Sequence, residues 1–350
     1  MRITAIIPSL DPDEKLRKVV EGLQAVGFDD ILLINDGSDA AHTAPFMALA
    51  QLPGVTVLTH PVNRGKGRAL KTAFAYVLEN RPDSLGVVTV DGDGQHRPAD
   101  VLALARALET DNSRVYLGAR DFDRPEVPPR SRFGNRTTSL VFRLLCGLRI
   151  RDTQTGLRAI PRVLLADFCA VPGERFEYET NMLLEFRQKK LPYTELPIET
   201  VYIEDNQTSH FRPVRDSVRI YWLIVRHFLR FAGCSLLCFG LDLLLFALLN
   251  RYVFGSLPQA GQIFAATAAA RVGSSLCNFW LNRRMVFHSG RAFGATLWRY
   301  YLLCICQLLT SALLVYLLRL ALPLPKTLLK GLVDACLFLV SYRVQQRFVF

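Results

Sequence analysis

Apolar positions divide this chain into two regions of different rhythm. From Met1 to about Arg212, short aliphatic runs alternate with longer amphipathic stretches. The runs Ile3–Ile7, Ile31–Ile34, Val55–Leu58, Val87–Val90 and Val115–Leu117 are bounded by Asp, Asn, Gly or Pro, which predicts buried parallel strands. Between them Asp13–Val26, Ala44–Leu52, Lys66–Asn80 and Ala99–Thr110 have helical spacing, several with Pro or Asp near the start. Strand alternating with helix predicts an α/β sheet with helices on both faces, whose ligands bind beyond the carboxyl ends of the strands.

The second region consists of long apolar spans. Phe231–Asn250, Ile263–Leu281 and Tyr300–Leu322 have the length that crosses a hydrocarbon core of about 30 Å, and Leu328–Val344 is shorter. The region also repeats itself. Asn278-Phe279 followed by Arg284-Met285-Val286-Phe287 matches Ser341-Tyr342 followed by Arg347-Phe348-Val349-Phe350, a shift of 63 residues. Two similar helical hairpins are the economical reading. The shift sets Arg271 and Asp334 at equivalent depth, where an ionisable group needs a partner, and Asp334 or Asp242 is expected to neutralise Arg271.

Charge follows the same division. From Phe231 onward there are 11 Lys/Arg and only two acids, Asp242 and Asp334, so most of the net charge of +11 lies among apolar spans. That placement favours an anionic membrane over nucleic acid as the partner. Arg226, Arg230, Arg283, Arg284, Arg291, Arg299, Arg343 and Arg347 fall on one side of the spans. Arg251, Arg319, Lys326 and Lys330 fall on the other, which predicts both termini in the cytoplasm. The apolar stretch at the N-terminus is too short for a secretory signal. Asp216–Arg230 mixes arginine with Ile, Trp, Leu and Phe as an interfacial helix does, and Thr138–Leu148 is similar. Six of the eight cysteines lie in the apolar region without metal-binding spacing and read as small apolar fillers.

Polar clusters fall at the predicted strand ends: Pro8-Ser9, Asn35-Asp36-Gly37-Ser38 and Asp91-Gly92-Asp93-Gly94-Gln95. Asp91 and Asp93, on a loop after a strand, can present carboxylates to one hard cation, with Gln95 adding a neutral oxygen. Such an ion neutralises a departing diphosphate. Asn63-Arg64-Gly65-Lys66-Gly67 opens a helix, where backbone N–H groups and Lys66 can meet phosphate.

In order along the chain, these clusters are joined by Leu117-Gly118-Ala119-Arg120, Asp152-Thr153-Gln154-Thr155-Gly156, Phe176-Glu177-Tyr178-Glu179-Thr180 and Ser209-His210-Phe211-Arg212. Together they resemble family 2 glycosyltransferases of the GT-A fold, and among these the dolichyl- or polyprenyl-phosphate sugar synthases. The apolar region resembles the GtrA-like four-helix membrane domain. The resemblance implies a Rossmann-like, mostly parallel α/β domain over residues 1–215, a juxtamembrane amphipathic helix over 216–230 and four transmembrane helices over 231–350. It implies a multi-pass integral membrane protein with the catalytic domain in the cytoplasm, in the inner membrane if the cell is bacterial.

By that resemblance the protein transfers a hexose, with inversion and with Mg²⁺ or Mn²⁺, from a donor of the GDP-mannose or UDP-glucose type to polyprenyl or dolichyl phosphate. Pro8, Leu10 and Asp36 line the base pocket, with Asp36 accepting from a ring N–H. Lys66, Asp91 and Gly92 meet the nucleotide, and Asp91, Asp93 and Gln95 hold the metal. Arg120, Arg132 and Arg212 surround the diphosphate and the acceptor phosphate, and Asp152 and Glu179 are candidate bases or organisers of the acceptor site. Membrane lipids are further partners, nucleic acid is not, and a homo-oligomer stays open. Asn35, Pro12-Asp13-Glu14 and His210 depart from the family pattern. A processive polysaccharide synthase is disfavoured, because none of Trp222, Trp280 and Trp298 follows an arginine. The other reading is translocation of a lipid-linked sugar by the GtrA-like region.

Overall fold

The computed structural model describes residues 1–124, 127, 129–199, 213–287 and 289–350. Met1–Tyr221 and Trp222–Phe350 each form a compact unit. In the first, the aliphatic runs become strands: β1 (Ile3–Ser9), β2 (Ile31–Asn35), β3 (Val55–Thr59), β4 (Gly86–Thr89) and β5 (Val115–Arg120). Two further strands, β6 (Arg158–Pro161) and β7 (Tyr193–Ile198), complete a seven-stranded sheet in the order β3-β2-β1-β4-β6-β5-β7.

The alternation along each strand decides which helix covers it. Ile3, Ala5, Ile7, Ile31 and Leu33 share a core with α1 (Lys15–Ala25) and α4 (Pro98–Thr110), which contribute Leu16, Val20 and Leu23 and Val101, Leu104 and Leu108. Those helical positions recur at the three- and four-residue spacing of one helix face. Ile6, Leu32 and Ile34 are equally buried on the opposite face, where α3 (Lys66–Asn80) packs on β1 and β2. Each such aliphatic side chain contributes about 1.5–3 kcal/mol when taken from water. The remaining helices of this unit are α2 (Ala44–Leu49), α5 (Pro129–Val141), α6 (Arg162–Ala170) and α7 (Glu177–Gln188).

Parallel pairing of β1 with β2 and β4, and of β2 with β3, sets Ser9, Asn35 and Thr59 in register at one edge. The sheet is mostly parallel, as its strand pattern predicts, with one exception. β6 runs antiparallel to β4 and β5, pairing Arg158 with both Thr89 and Leu117. An antiparallel strand begins where its neighbours end. The segment Asp152–Gly156 that leads into β6 is thereby delivered to the same carboxyl edge as the three polar clusters.

The second unit is helical. Its long elements are α8 (Pro213–Leu248) from Trp222 onward, α9 (Gln259–Leu281), α10 (Phe293–Ala321) and α11 (Lys326–Val344). Among the described residues, Phe228–Val253 and Phe293–Ala321 are long and apolar enough to cross a membrane. Residues 216–230 are the first part of α8 and not a separate helix. No helix breaker separates them from the apolar part.

The internal repeat has a structural counterpart. A π-helical turn follows both α9 and α11, over Asn282–Val286 and Gln345–Val349, closed by Phe287 N to Asn282 O and Phe350 N to Gln345 O, both 2.9 Å. Buried Asn282 donates to Asn278 Oδ1 at 3.0 Å, and buried Gln345 donates to Ser341 Oγ at 3.1 Å. The equivalent rings of Phe287 and Phe350 stack on each other at 5.2 Å.

Of the two candidates for Arg271, Asp242 is its partner, at 3.4 Å, and Asp242 also accepts from Ser274 Oγ at 2.7 Å. Asp334 is instead held by Lys330 at 2.7 Å and Ser311 at 2.6 Å. Lys330 lies one helical turn before Asp334 and reaches it along α11 without crossing to another helix. Asp242→Leu should therefore lower the thermal midpoint in detergent by an amount equivalent to about 1 kcal/mol, because it orphans a guanidinium and a hydroxyl in an apolar span. Asp242→Leu/Arg271→Leu should recover most of the loss. A single variant as stable as the parent would exclude the pairing.

Candidate active site

Asp91, Gly92 and Asp93 follow β4 directly, and the positive φ of Gly94 (77°) turns the chain back so that Gln95 N donates to Asp93 Oδ1 at 3.1 Å. Lys66, the first residue of α3, reaches across to Asp91 Oδ1 at 2.6 Å. The same ammonium lies 3.0 Å from Glu179 Oε2 on α7. His96 Nε2 stands 3.4 Å from the other Asp91 oxygen, and its buried Nδ1 has no hydrogen-bond partner among the described residues. Gly156 closes over the pair. A Cβ there would stand 2.4 Å from Asp91 Oδ2, so only glycine lets this carboxylate sit against the Thr155-Gly156 segment.

The electrostatics of the cluster are uneven. Burial pulls the Lys66 ammonium down, but Asp91 and Glu179 together outweigh it and hold its pKa above that of an ordinary lysine. Burial alone would raise Asp91, yet Lys66 and His96 keep it well below the usual carboxylate range. Asp93 moves the other way, raised by burial and then by the charge of Asp91. Two carboxylates that repel each other at a strand end, in an all-oxygen donor set, fit a hard divalent cation.

Asp36 directly follows β2. It is buried, and its Oδ1 accepts from Arg64 N at 3.0 Å and lies 2.7 Å from His60 Nδ1. Its Oδ2 accepts from Gly65 N at 2.7 Å. His60 Nε2 continues the chain to Thr72 Oγ1 on α3 at 3.0 Å. The carboxylate thus satisfies N–H groups at the start of α3 and fixes the loop that presents Lys66. Pro8 and Leu10 are half-buried at the carboxyl end of β1 beside it. Nearby, Asp39 N donates to Asp11 Oδ1 at 2.9 Å and His42 Nδ1 lies 2.6 Å from Asp39 Oδ1, tying the β1 and β2 loops together.

Arg120, at the end of β5, forms a two-pronged pair with Asp152: Nε to Oδ2 at 2.6 Å and Nη2 to Oδ1 at 3.0 Å. The Asp152 side chain is fully buried and holds the guanidinium. Glu179 likewise holds a cation, Lys66. Arg132, on α5, donates through Nη2 to Arg124 O at 2.8 Å, while its buried Nε has no partner among the described residues. Arg212 lies outside the described residues.

Sequence reasoning passed over Arg158, the largest fully buried side chain among the described residues. It donates to Glu179 O at 2.9 Å and Thr155 O at 3.3 Å, and forms no ion pair among the described residues. Burial pulls its pKa below the ordinary arginine value, but arginine stays charged. A lone cation in the run Leu157–Ile160 was the available signal. His60 carried none, since it matters only through contacts across elements.

Residues 4–166 match the family model Glycosyl transferase family 2, and residues 230–350 match GtrA/DPMS, transmembrane domain. The UDP-N-acetylglucosamine–dolichyl-phosphate N-acetylglucosaminyltransferase of Methanococcus voltae is 28% identical over 220 residues, covering 58% of this chain and 86% of that one. An uncharacterised protein of Methanocaldococcus jannaschii is 27% identical over 209 residues, covering 58% and 82%. Among solved structures, mannosyl-3-phosphoglycerate synthase from Rubrobacter xylanophilus is similar with a TM-score of 0.46 at 20% identity, covering 64% of this chain and 71% of that one. The protein is a glycosyltransferase, a family 2 domain joined in one chain to a GtrA/DPMS transmembrane domain.

Proposed function

We propose that this protein transfers a hexose from a nucleotide-sugar donor, of the GDP-mannose or UDP-glucose type, to the phosphate of a polyprenyl or dolichyl lipid. The observation that carries this reading is the convergence of Lys66, Asp91 and Asp93 at the carboxyl edge of the sheet. The lipid phosphate as acceptor draws support from the activity for which the Methanococcus voltae relative is named and from the GtrA/DPMS region.

Such an acceptor is already ionised at neutral pH. Its oxygen forms the new bond to the anomeric carbon while the bond to the diphosphate breaks, and the nucleoside diphosphate leaves with the electron pair, inverting the centre. No strong base is required, which agrees with the engagement of both Asp152 and Glu179 with cations. The chain supplies orientation and charge stabilisation. Lys66 presents its ammonium to the departing diphosphate from a loop held by Asp36. Arg120, oriented by Asp152, Arg132 and Arg212 take the phosphates around the reacting centre. Pro8 and Leu10 form the apolar wall of the base pocket. Asp91, Asp93 and Gln95 hold Mg²⁺ or Mn²⁺, which supplies charge neutralisation at the diphosphate when bound. We further assign residues 1–215 to a GT-A domain and all four long helices to the membrane. The positive-inside distribution of arginine then puts both termini and the reaction on the cytoplasmic face.

Detergent-purified protein given polyprenyl phosphate and a panel of radiolabelled nucleotide sugars should carry label from one donor into the organic phase, and EDTA should stop it. No transfer from any donor by folded protein would refute the assignment. Asp93→Asn should reduce transfer at least ~100-fold. It should leave the thermal midpoint unchanged or slightly higher, because it removes a charge that Asp91 repels. A marked loss of stability would instead make Asp93 a structural residue. Gly156→Ala should also reduce transfer by displacing the Asp91 carboxylate, with the far-ultraviolet circular dichroism unaltered; wild-type activity in this variant would show that the Asp91 position is not critical.

A further inference from the structure

Five arginines near the ends of α9, α10 and α11 pair with no acidic side chain among the described residues. From Phe231 onward the only acids are Asp242 and Asp334, and both are engaged within the apolar spans by Arg271 and by Lys330. Among the described residues, Arg283, Arg284, Arg291, Arg299 and Arg347 form no ion pair.

Three of the five converge. Arg291 Nη1 and Arg299 Nη1 both donate to one acceptor, Phe348 O, each at 3.2 Å. Arg283 is tied to the same group, donating to Arg291 O at 2.6 Å and to Thr296 Oγ1 at 2.6 Å. Two like charges drawn to one neutral carbonyl repel each other, and an anion placed between them relieves the repulsion. Arg291 and Arg299 are exposed, so an outside ligand reaches their remaining N–H groups. The flanks have the character of a membrane–water interface. Arg284 lies over the exposed ring of Trp280 at 5.9 Å, and Arg347 over the exposed ring of Phe348 at 5.2 Å. Amphipathic aromatics and arginine gather at headgroup level.

We propose that Arg283, Arg291 and Arg299 form a binding site for the phosphate of an anionic phospholipid headgroup, flanked by Arg284 and Arg347. Guanidinium forks match the paired oxygens of a phosphodiester, and the neighbouring apolar helix faces suit its acyl chains. The site uses none of the residues assigned to sugar transfer and does not depend on that assignment. It also gives the repeat a use, since its groups come from both halves of the second hairpin and from the π-helical turn that ends the first.

Full-length protein, stripped of lipid in neutral detergent, would be offered equal phosphatidylglycerol and phosphatidylcholine, and retained lipid counted by native mass spectrometry. Wild type should prefer phosphatidylglycerol roughly tenfold or more. Arg291→Gln/Arg299→Gln should bring the preference close to parity, while Arg319→Gln, at the far end of α10, should leave it intact. Arg291→Lys/Arg299→Lys keeps the charge and should retain an intermediate preference, which separates loss of the site from loss of the fold. Equal retention by wild type, or an undiminished preference in the Gln pair, would overturn the proposal. So would stoichiometric displacement of phosphatidylglycerol by polyprenyl phosphate at equal concentration, which would give the site to the acceptor.

Discussion

The first unit depends on one half-buried cation. Lys66 lies between Asp91 and Glu179, and each of the three residues comes from a different element: the start of α3, the end of β4 and the start of α7. Bringing two carboxylates beneath the surface is unfavourable unless a cation meets both. The sheet places Asp91, the Asp36 carboxylate holds the loop that starts α3, and Gly156 leaves room for the approach. In the proposed transfer the same ammonium that stabilises this arrangement also meets the departing diphosphate. Structural and chemical roles are joined in one side chain.

The antiparallel strand β6 has a comparable effect. Because it runs against its neighbours, it brings Asp152, Gly156 and Arg158 to the edge where the parallel strands end. Asp152 then fixes Arg120, and Arg158 fixes the backbone of Thr155 and Glu179. A sheet of wholly parallel strands would deliver those residues to the opposite edge. The helical unit obeys another constraint: in an apolar span each charge must find its partner close by. Asp242 with Arg271 and Asp334 with Lys330 meet it by different routes in the two hairpins, one across helices and one along a single helix. The repeat therefore preserves the placement of polar groups more faithfully than their identity.

Much of this was legible in the chain itself. The five early strands, the helices between them, the paired acids at the end of β4 and the apolar spans all rest on local signals. Aliphatic runs, helical spacing and turn residues act within a few positions of one another, so their physics is written in neighbouring letters. The duplication was legible for the same reason, as a recurring order of residue types. Tertiary structure alone decided who meets whom. It joined Lys66 to Glu179, bound Asp36 to the backbone of Arg64 and Gly65, buried Arg158, and chose Asp242 over Asp334 for Arg271. Those choices depend on strand order, strand direction and helix packing, which bring together residues far apart in the chain and which no local pattern of hydrophobicity encodes.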